Sequence, residues 1–299
     1  MRIQRISRRE LLKIVPLGGL ALLLDGAGAP RRLLREALGA APRAEPKPID
    51  PLADEGASDR AEHDPLHKIR DPDRTYADDY LLAESKQELL VTTAARLERA
   101  VRVIGHGNFN LVSFDDLLRY AERYEEIGAF PRAELDFLDE IFYADAKQYG
   151  FFGDKIIDKQ TARFARRDVE RIASTGHYLL RGEPLELYER IRKDLGDRIF
   201  LTSGVRGVVK QCQLFLSKAV TTDGNLSQAS RSLAPPGYSY HAIGDFDIGR
   251  VGYGLKNFTA DFAQTPEYRQ LIDLGYVDIR YTETNPFGVR HEPWHIKIV

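Results

Sequence analysis

The sequence predicts an α+β fold in which helices pack on a small, largely antiparallel sheet. Two observations favour this class. Apolar residues recur at three- and four-residue steps through residues 84–175, which we call the helical region, and strand-like and helical segments alternate from residue 176 onward. The chain has 299 residues, 43% of them hydrophobic, so it can bury a sizeable core.

Composition excludes several classes of protein. The formal net charge of −2 argues against a nucleic-acid partner, because such binding depends on a basic surface. The single cysteine, Cys212, excludes an internal disulfide and a cysteine-rich zinc site. His106 and His177 lie in glycine-bounded loops away from other metal-ligating residues, and we expect them to be solvated or capping side chains.

Three helices are predicted in the helical region. The apolar stripe of the first helix stops at Gly105, a residue type that commonly ends helices. Ser113 is predicted to cap a second helix that runs through residue 124, since its hydroxyl can accept a free amide hydrogen bond of the first turn. Pro131 is predicted to begin a third helix that runs through residue 143.

Strands and helices alternate in the last part of the chain. Pro184 begins a predicted helix that Gly196 ends, and Thr265 caps another that ends at Gly275. The remaining segments are predicted as a strand at 198–202, a helix at 208–219, a polar loop at 221–237, a strand at 238–248, and closing strands at 276–281 and 289–299.

The first 29 residues have the order of a secretory signal, with basic residues, a short apolar run and small residues. The apolar run at 14–24 is shorter than the roughly 20 residues that cross a bilayer as a helix. No stable membrane span is therefore expected unless the signal is retained. Arg8 and Arg9 with the following leucines resemble the twin-arginine (Tat) export signal, which implies the Tat export machinery as a partner. A basic start to a cytoplasmic helix is the alternative.

The end of this signal and the segment after it are less specific. A cut after Ala29 would place Pro30 next to the cleaved bond, so processing near Ala41 or retention as an anchor stays open. Residues 30–83 are rich in proline, alanine and charge with little apolar periodicity. Such a segment cannot bury enough surface to offset its ordering entropy, so it is predicted to be a disordered linker.

Two stretches near the carboxyl end contain the residue types of a metal-dependent hydrolase. A catalytic zinc needs three imidazole or carboxylate ligands, an open position for water, and a nearby carboxylate that accepts the proton. His241, Asp247 and His295 would supply the ligands, and Glu292 the base. On a flat strand Glu292 and His295 would lie on opposite faces, so we expect a kink at Pro293 to bring them together.

These stretches, with a third around residue 206, resemble the D-alanyl-D-alanine carboxypeptidases and dipeptidases of the VanY type. This family belongs to the LAS metallopeptidase superfamily, which includes hedgehog-like domains. Three motifs carry the resemblance, which covers about residues 176–299. They are Ser239, His241, Gly244 and Asp247-Ile248-Gly249; Glu292-Pro293-Trp294-His295; and Ser203-Gly204, Arg206, Gln211, Leu214 and Phe215.

The resemblance implies a role for each of the main residues of the site. It makes His241, Asp247 and His295 the ligands of a catalytic Zn²⁺ and Glu292 the catalytic base. It also implies that Arg206 neutralises a developing oxyanion or holds a substrate carboxylate. A guanidinium suits both roles, because it pairs with a carboxylate through two parallel hydrogen bonds.

The substrate side of the site follows from the same resemblance. Ser239 is expected to help bind the peptide terminus, with Ser203 and Gln211 as further substrate-binding residues. Val205 and Gly207 stand where the family has tyrosine and serine, so the details of the substrate pocket are expected to differ.

The spacing of the first motif also departs from the family. Six steps separate His241 from Asp247, where the family has seven, which leaves Asp245 as a rival ligand. Asp247 is preferred because Ile248 and Gly249 follow it, as in the family, and Asp245 is then expected to support a ligand from behind.

The resemblance and the signal together predict an exported zinc D,D-carboxypeptidase that acts on peptidoglycan stem peptides in the periplasm or cell envelope. The predicted organisation is a signal at 1–29, a linker at 30–83, the helical region at 84–175 and the peptidase domain at 176–299. Three alternatives remain: an endopeptidase on the same scaffold, a non-catalytic zinc-containing module that binds the cell wall, and a helical region that docks on murein or a partner.

Overall fold

The structure, a computed structural model, describes residues 64–298. The predicted Tat-type signal and the predicted linker through residue 63 lie outside these residues. The described residues belong to one compact unit. Within that described part of the chain, no helix combines the length and the apolar character that a membrane crossing requires.

The described chain is mainly helical, with short strands. The α-helices are α1 Pro65–Arg70, α2 Gln87–Ile104, α3 His106–Phe109, α4 Phe114–Arg123, α5 Arg132–Tyr143, α6 Glu183–Leu195, α7 Val208–Thr221, α8 Leu226–Ser230 and α9 Pro266–Asp273. The strands are β1 Val169–Arg171, β2 Tyr178–Leu180, β3 Ile199–Ser203, β4 Phe246–Arg250 and β5 His295–Ile296. The 3₁₀ turns are Glu84–Lys86, Ala146–Tyr149, Arg166–Asp168, Gly196–Arg198, Tyr240–Ala242, Gly254–Phe258 and Ala260–Gln264.

Two small antiparallel sheets confirm the predicted α+β class. Strands β1 and β2 form a hairpin, and the predicted domain boundary at residue 176 falls in its turn. Strands β3, β4 and β5 form the second sheet, with β4 in the centre. Its register places Asp247 opposite Ser203 on one side and His295 on the other. Directly opposed residues share a face of the sheet, so this register brings three predicted site residues together.

The three-stranded sheet packs on helices α6 and α9. Burial of apolar side chains between these layers supplies most of the free energy that positions the sheet. The buried cluster contains Leu179, Tyr188, Ile191, Leu195, Ile199, Leu201, Phe246, Ile248, Phe262, Tyr268, Leu271, Trp294 and Ile296. Elsewhere α2 packs against α7, so the helical region and the later elements share packed surfaces.

The local signals at helix ends are confirmed. Helix α2 ends at Gly105, whose φ of 90° is left-handed backbone that glycine adopts without strain. The side chain of Ser113 accepts a hydrogen bond from the amide of Asp116, and that of Thr265 accepts one from Tyr268. These caps satisfy amides that have no partner inside the helix.

The strand predictions near the carboxyl end are too long. In 238–248 only the last residues pair in a sheet. Among the described residues 289–298 only His295–Ile296 is a strand, and 276–281 contributes a single bridge, from Ile279 to Ile296. Tyr238, Tyr240 and Tyr281 are buried in a separate cluster with Ala146 and Phe151. Their strand-like composition therefore reflects burial and not pairing.

Two segments predicted to lack structure are ordered. The polar loop at 221–237 contains α8, whose cap Asn225 accepts a hydrogen bond from Gln228. The predicted linker is wrong for residues 64–83, which contain α1 and pack on the rest of the chain. The carboxylate of Asp79 forms a buried ion pair with Arg231, with 2.7 Å between Oδ1 and the guanidinium. Because Arg231 lies 152 positions from Asp79, the composition around Asp79 does not indicate this ion pair.

Candidate functional site

Two imidazoles and one carboxylate converge at one end of the three-stranded sheet. His241 lies in the 3₁₀ turn Tyr240–Ala242, Asp247 in β4, and His295 begins β5. All three side chains are buried, and one ligand atom from each lies within 4.8 Å of the others. Among the described residues these three are thus arranged as a group that could hold a metal ion.

The spacing of these atoms suits a small divalent cation. Nε2 of His241 lies 3.3 Å from Oδ2 of Asp247, and Nδ1 of His295 lies 3.0 Å from Oδ1 of the same residue. Ligands at the usual bond lengths around a tetrahedral zinc lie about 3.3 Å from one another. The donor set of two imidazoles and one carboxylate is also that of catalytic zinc sites.

His241 is held in the form that a metal ligand requires. Its Nδ1 lies 2.8 Å from the carbonyl oxygen of Gly204, so Nδ1–H donates and the lone pair of Nε2 faces Asp247. Burial and then the charge of Arg206 lower the pKa of His241 to about 4, which keeps the ring neutral. A Cβ on Gly204 would lie 2.0 Å from the carbonyl oxygen of Tyr178, so glycine is needed where these two segments of the backbone are in contact.

His295 lies between two carboxylates. Its Nδ1 faces Asp247, while its Nε2 lies 3.0 Å from Oδ2 of Asp245. Burial alone would lower the pKa of His295, but the hydrogen bonds to Asp245 and Asp247 raise it to about 9. Burial would likewise raise the pKa of Asp247, but His241 and Arg206 hold it well below its usual value.

The structure separates the two aspartates that the sequence leaves as rivals. Asp247 contacts both histidines, whereas Asp245 contacts only His295 and lies behind it. The oxygens of Asp245 also accept hydrogen bonds from Arg280 and from the amide of Ile298. Asp245 thus stands where a supporting residue would, and Asp247 where a ligand would.

Glu292 reaches the site through a turn. The amide of His295 donates to the carbonyl oxygen of Glu292 at 3.1 Å, and residues 291–294 are not a strand. The opposite-face geometry of a flat strand therefore does not apply here. The Glu292 side chain is buried, and burial raises its pKa to about 7, opposed by the charge of Arg290, 3.6 Å away.

Arg206 lies against the carboxylate of the cluster. Its guanidinium donates to Oδ2 of Asp247, and its Nε donates to the hydroxyl of Ser203 at 2.8 Å. Only 12% of the Arg206 side chain is exposed. A fixed positive charge therefore stands beside the three-residue group, with Ser203 orienting it.

The other predicted substrate residues lie nearby but differ in their contacts. Ser239 is buried and immediately precedes the turn that carries His241. Gln211 is buried in α7 and donates to the carbonyl oxygen of Ala234. Its Oε1 has no hydrogen-bond partner within residues 64–298.

Two residues near the site were not among the site residues predicted from the sequence. Arg280 pairs with Asp245, a contact over 35 positions that no local pattern reveals. His177 is half-buried and its Nδ1 lies 3.3 Å from the side-chain nitrogen Nδ2 of Asn110, so the prediction of a solvated or capping side chain is wrong for it. Burial and the charges of Arg206 and Lys210 lower the pKa of His177 to about 4. His106 is exposed, as predicted.

Comparisons with known proteins bear on the carboxy-terminal part of the chain. Residues 184–299 match the family model described as VanY: D-alanyl-D-alanine carboxypeptidase, which is the family that the three motifs predict. No curated protein matches the chain.

Three solved structures are similar to it. The peptidoglycan-recognising LdcB LD-carboxypeptidase is 24% identical with a TM-score of 0.35, and the match covers 41% of this chain and 60% of that one. The chain thus spans about three fifths of LdcB. A mutant of the vancomycin-resistance D,D-pentapeptidase VanY in complex with Zn(II) is 23% identical, with a TM-score of 0.36 and coverage of 48% and 86%. VanYB in complex with D-alanine-D-alanine is 23% identical, with a TM-score of 0.37 and coverage of 48% and 84%.

Proposed function

We propose that this protein is a zinc-dependent D-alanyl-D-alanine carboxypeptidase that acts on peptidoglycan stem peptides. The observation that carries the proposal is the buried group of His241, Asp247 and His295, with Glu292 and Arg206 beside it. This group lies in the part of the chain that matches the VanY family model.

The metal would be held by Nε2 of His241, the carboxylate of Asp247 and Nδ1 of His295. The separations of these atoms and their burial support this assignment. A bound Zn²⁺ would act as a Lewis acid that lowers the pKa of a water molecule and polarises the scissile carbonyl.

Glu292 would accept the proton of the attacking water and pass it to the departing amine. Two properties support this role. Its carboxylate is buried close to the three ligands, and burial brings its pKa to about 7, near the pH at which a general base works best. Burying this carboxylate costs folding free energy that its ion pair with Arg290, 3.6 Å away, offsets only in part, which favours a functional reason for its position.

Arg206 would bind the oxygen that becomes negative during the reaction, or the terminal carboxylate of the peptide. In the structure it donates to Asp247, and a cation bound at that carboxylate would compete for the same oxygen. With a cation bound at Asp247, the guanidinium would be free to donate hydrogen bonds to an anion of the substrate or of the reaction.

The substrate class implies a place of action. Peptidoglycan lies outside the cytoplasm, so we place the protein in the cell envelope, exported by the Tat machinery that the first residues predict. Export of the folded chain would let the metal be bound before the membrane is crossed.

Release of D-alanine from a stem pentapeptide tests the proposal. The full chain is the proper material, because residues 64–83 pack on the rest of the protein. We expect release that a chelator abolishes and added zinc restores. Release that survives complete metal removal would overturn the proposal, and cleavage of cross-linked muropeptide dimers without release of D-alanine would identify an endopeptidase instead.

A further inference from the structure

Each ring nitrogen of His295 lies within hydrogen-bond distance of a carboxylate. Nδ1 lies 3.0 Å from Oδ1 of Asp247, on the side of the three-residue group, and Nε2 lies 3.0 Å from Oδ2 of Asp245. Asp247 is the residue that also contacts His241. Nδ1 is therefore the nitrogen that faces the metal site, and Nε2 the nitrogen that faces away from it.

Asp245 is fixed in place by its hydrogen-bond partners. Its side chain is fully buried, and its Oδ2 accepts a hydrogen bond from Nε of Arg280 at 2.7 Å. Its Oδ1 accepts one from the amide of Ile298 at 2.9 Å. Arg280 is itself held, with its guanidinium 3.6 Å from the ring centroid of Tyr240. A buried carboxylate with a paired cation is rigid, which suits it to orient a neighbour.

The backbone before β4 explains how Asp245 comes to lie there. Gly244 has a φ of 128°, a conformation that L side chains rarely adopt, and the amide of Asp245 donates to the carbonyl oxygen of Tyr240. Because only six positions separate His241 from Asp247, the chain makes this tight turn, and the turn directs the side chain of Asp245 behind β5.

We propose that Asp245, locked by Arg280, is the positioning residue of the metal site: it accepts the hydrogen of Nε2 of His295 and so presents the lone pair of Nδ1 to the metal. The inference rests on the proposed function, since it requires that His295 ligates zinc. The two histidines then use opposite nitrogens, because the carbonyl oxygen of Gly204 holds Nδ1–H of His241 and leaves Nε2 free to ligate.

The first test reads the tautomer in the unaltered protein. In the zinc-loaded full chain, ¹⁵N NMR of the histidine rings should show His295 with hydrogen on Nε2, protected from solvent exchange. His241 should show hydrogen on Nδ1. A zinc-bound Nε2 on His295, with the hydrogen on Nδ1, would overturn the proposal without any variant having to fold.

The second test measures zinc affinity by competition with a chelator. Asp245→Ala should weaken zinc binding by about 10- to 100-fold, the usual effect of removing an outer partner of a ligating histidine. Because this change leaves Arg280 buried without its carboxylate, the double variant Asp245→Ala/Arg280→Gln removes both charges together with the acceptor for Nε2–H of His295, and should show a similar loss. Asp278→Asn is the matched control, since Asp278 forms an exposed ion pair with Lys297 at 2.9 Å, and it should stay within about twofold of the parent.

The outcomes separate this inference from the proposed function, because zinc affinity and tautomer are read without peptide. Unchanged affinity in a folded double variant would overturn the positioning role alone. A protein that binds zinc through Nδ1 of His295 and releases no D-alanine would support the positioning role and refute the carboxypeptidase. A protein that binds no zinc would overturn both.

Discussion

The guanidinium of Arg206 donates a hydrogen bond to Oδ2 of Asp247, the same oxygen that lies 3.3 Å from Nε2 of His241. One buried carboxylate oxygen of Asp247 thus contacts both the guanidinium of Arg206 and the ring nitrogen of His241. This contact keeps Asp247 ionised and holds a positive charge next to the proposed reaction centre.

Replacing Arg206 by glutamine should lower kcat/KM for a stem pentapeptide by about 10²- to 10³-fold, the usual effect of losing one donor to a developing oxyanion. Zinc content should stay at the parental level, because the metal itself can neutralise Asp247. Steady-state kinetics with elemental analysis make the measurement. Arg132→Gln is the control, since Arg132 is a surface arginine that pairs with Asp136. A loss of zinc in proportion to the loss of activity would show that Arg206 supports the ligands instead.

Replacing Glu292 by glutamine should keep the shape of the side chain and remove the base. We expect turnover to fall by about 10²- to 10⁴-fold, the usual contribution of general base catalysis, with zinc still bound. Glu283→Gln serves as the control, because Glu283 is 80% exposed. Unchanged turnover in Glu292→Gln would contradict the assigned role.

The two histidines near the carboxyl end should behave differently. His295→Ala removes a buried ligand and should abolish stoichiometric zinc binding and activity together. His291→Ala should leave both within about twofold, because His291 has only a distant ion pair with an exposed glutamate. Equal losses in the two variants, measured by zinc content after dialysis, would contradict the ligand set.

The sequence predicted best what is local. Ser113 and Thr265 cap their helices through residues three positions away, so composition near them is sufficient. The site residues were identified because their motifs are short and ordered, and the register of β4 then places Asp247 between Ser203 and His295. These roles stay predictions until zinc and activity are measured.

The features that were not predicted from the sequence depend on contacts between residues that are far apart along the chain. The contact of Asp245 with Arg280 follows from a turn and a segment 35 positions later. Residues 64–83 contact the rest of the chain in part through the ion pair of Asp79 with Arg231, which lies in a segment that was itself predicted to be a loop. Composition describes the average tendency of a segment and does not record the distant residues that the segment contacts in the folded protein.

The ordered segment before α2 gives a stability prediction. Burial opposes ionisation of Asp79, but hydrogen bonds from Arg231, Asn225 and the amide of Tyr76 hold its pKa below the usual value. The ion pair therefore stabilises the fold above the unfolded pKa of about 3.9, and that contribution is lost as pH falls through the lower folded pKa.

Asp79→Asn should reduce the free energy of unfolding at pH 7 by about 3–5 kcal/mol, because Arg231 is left buried without its carboxylate. The difference from the parent should narrow as the pH falls below about 4. Urea unfolding at several pH values measures this, with the exposed Asp73→Asn as the control. A difference that does not change with pH would contradict the ion pair as its source.

The decisive measurement is a titration of zinc into metal-free full-length protein, with D-alanine release from a stem pentapeptide followed at each step. We expect release to rise in proportion to added zinc, to reach its maximum at one zinc per chain, and to be absent in Glu292→Gln at the same zinc content. Release that does not depend on zinc, or zinc that binds at this stoichiometry without release, would contradict it.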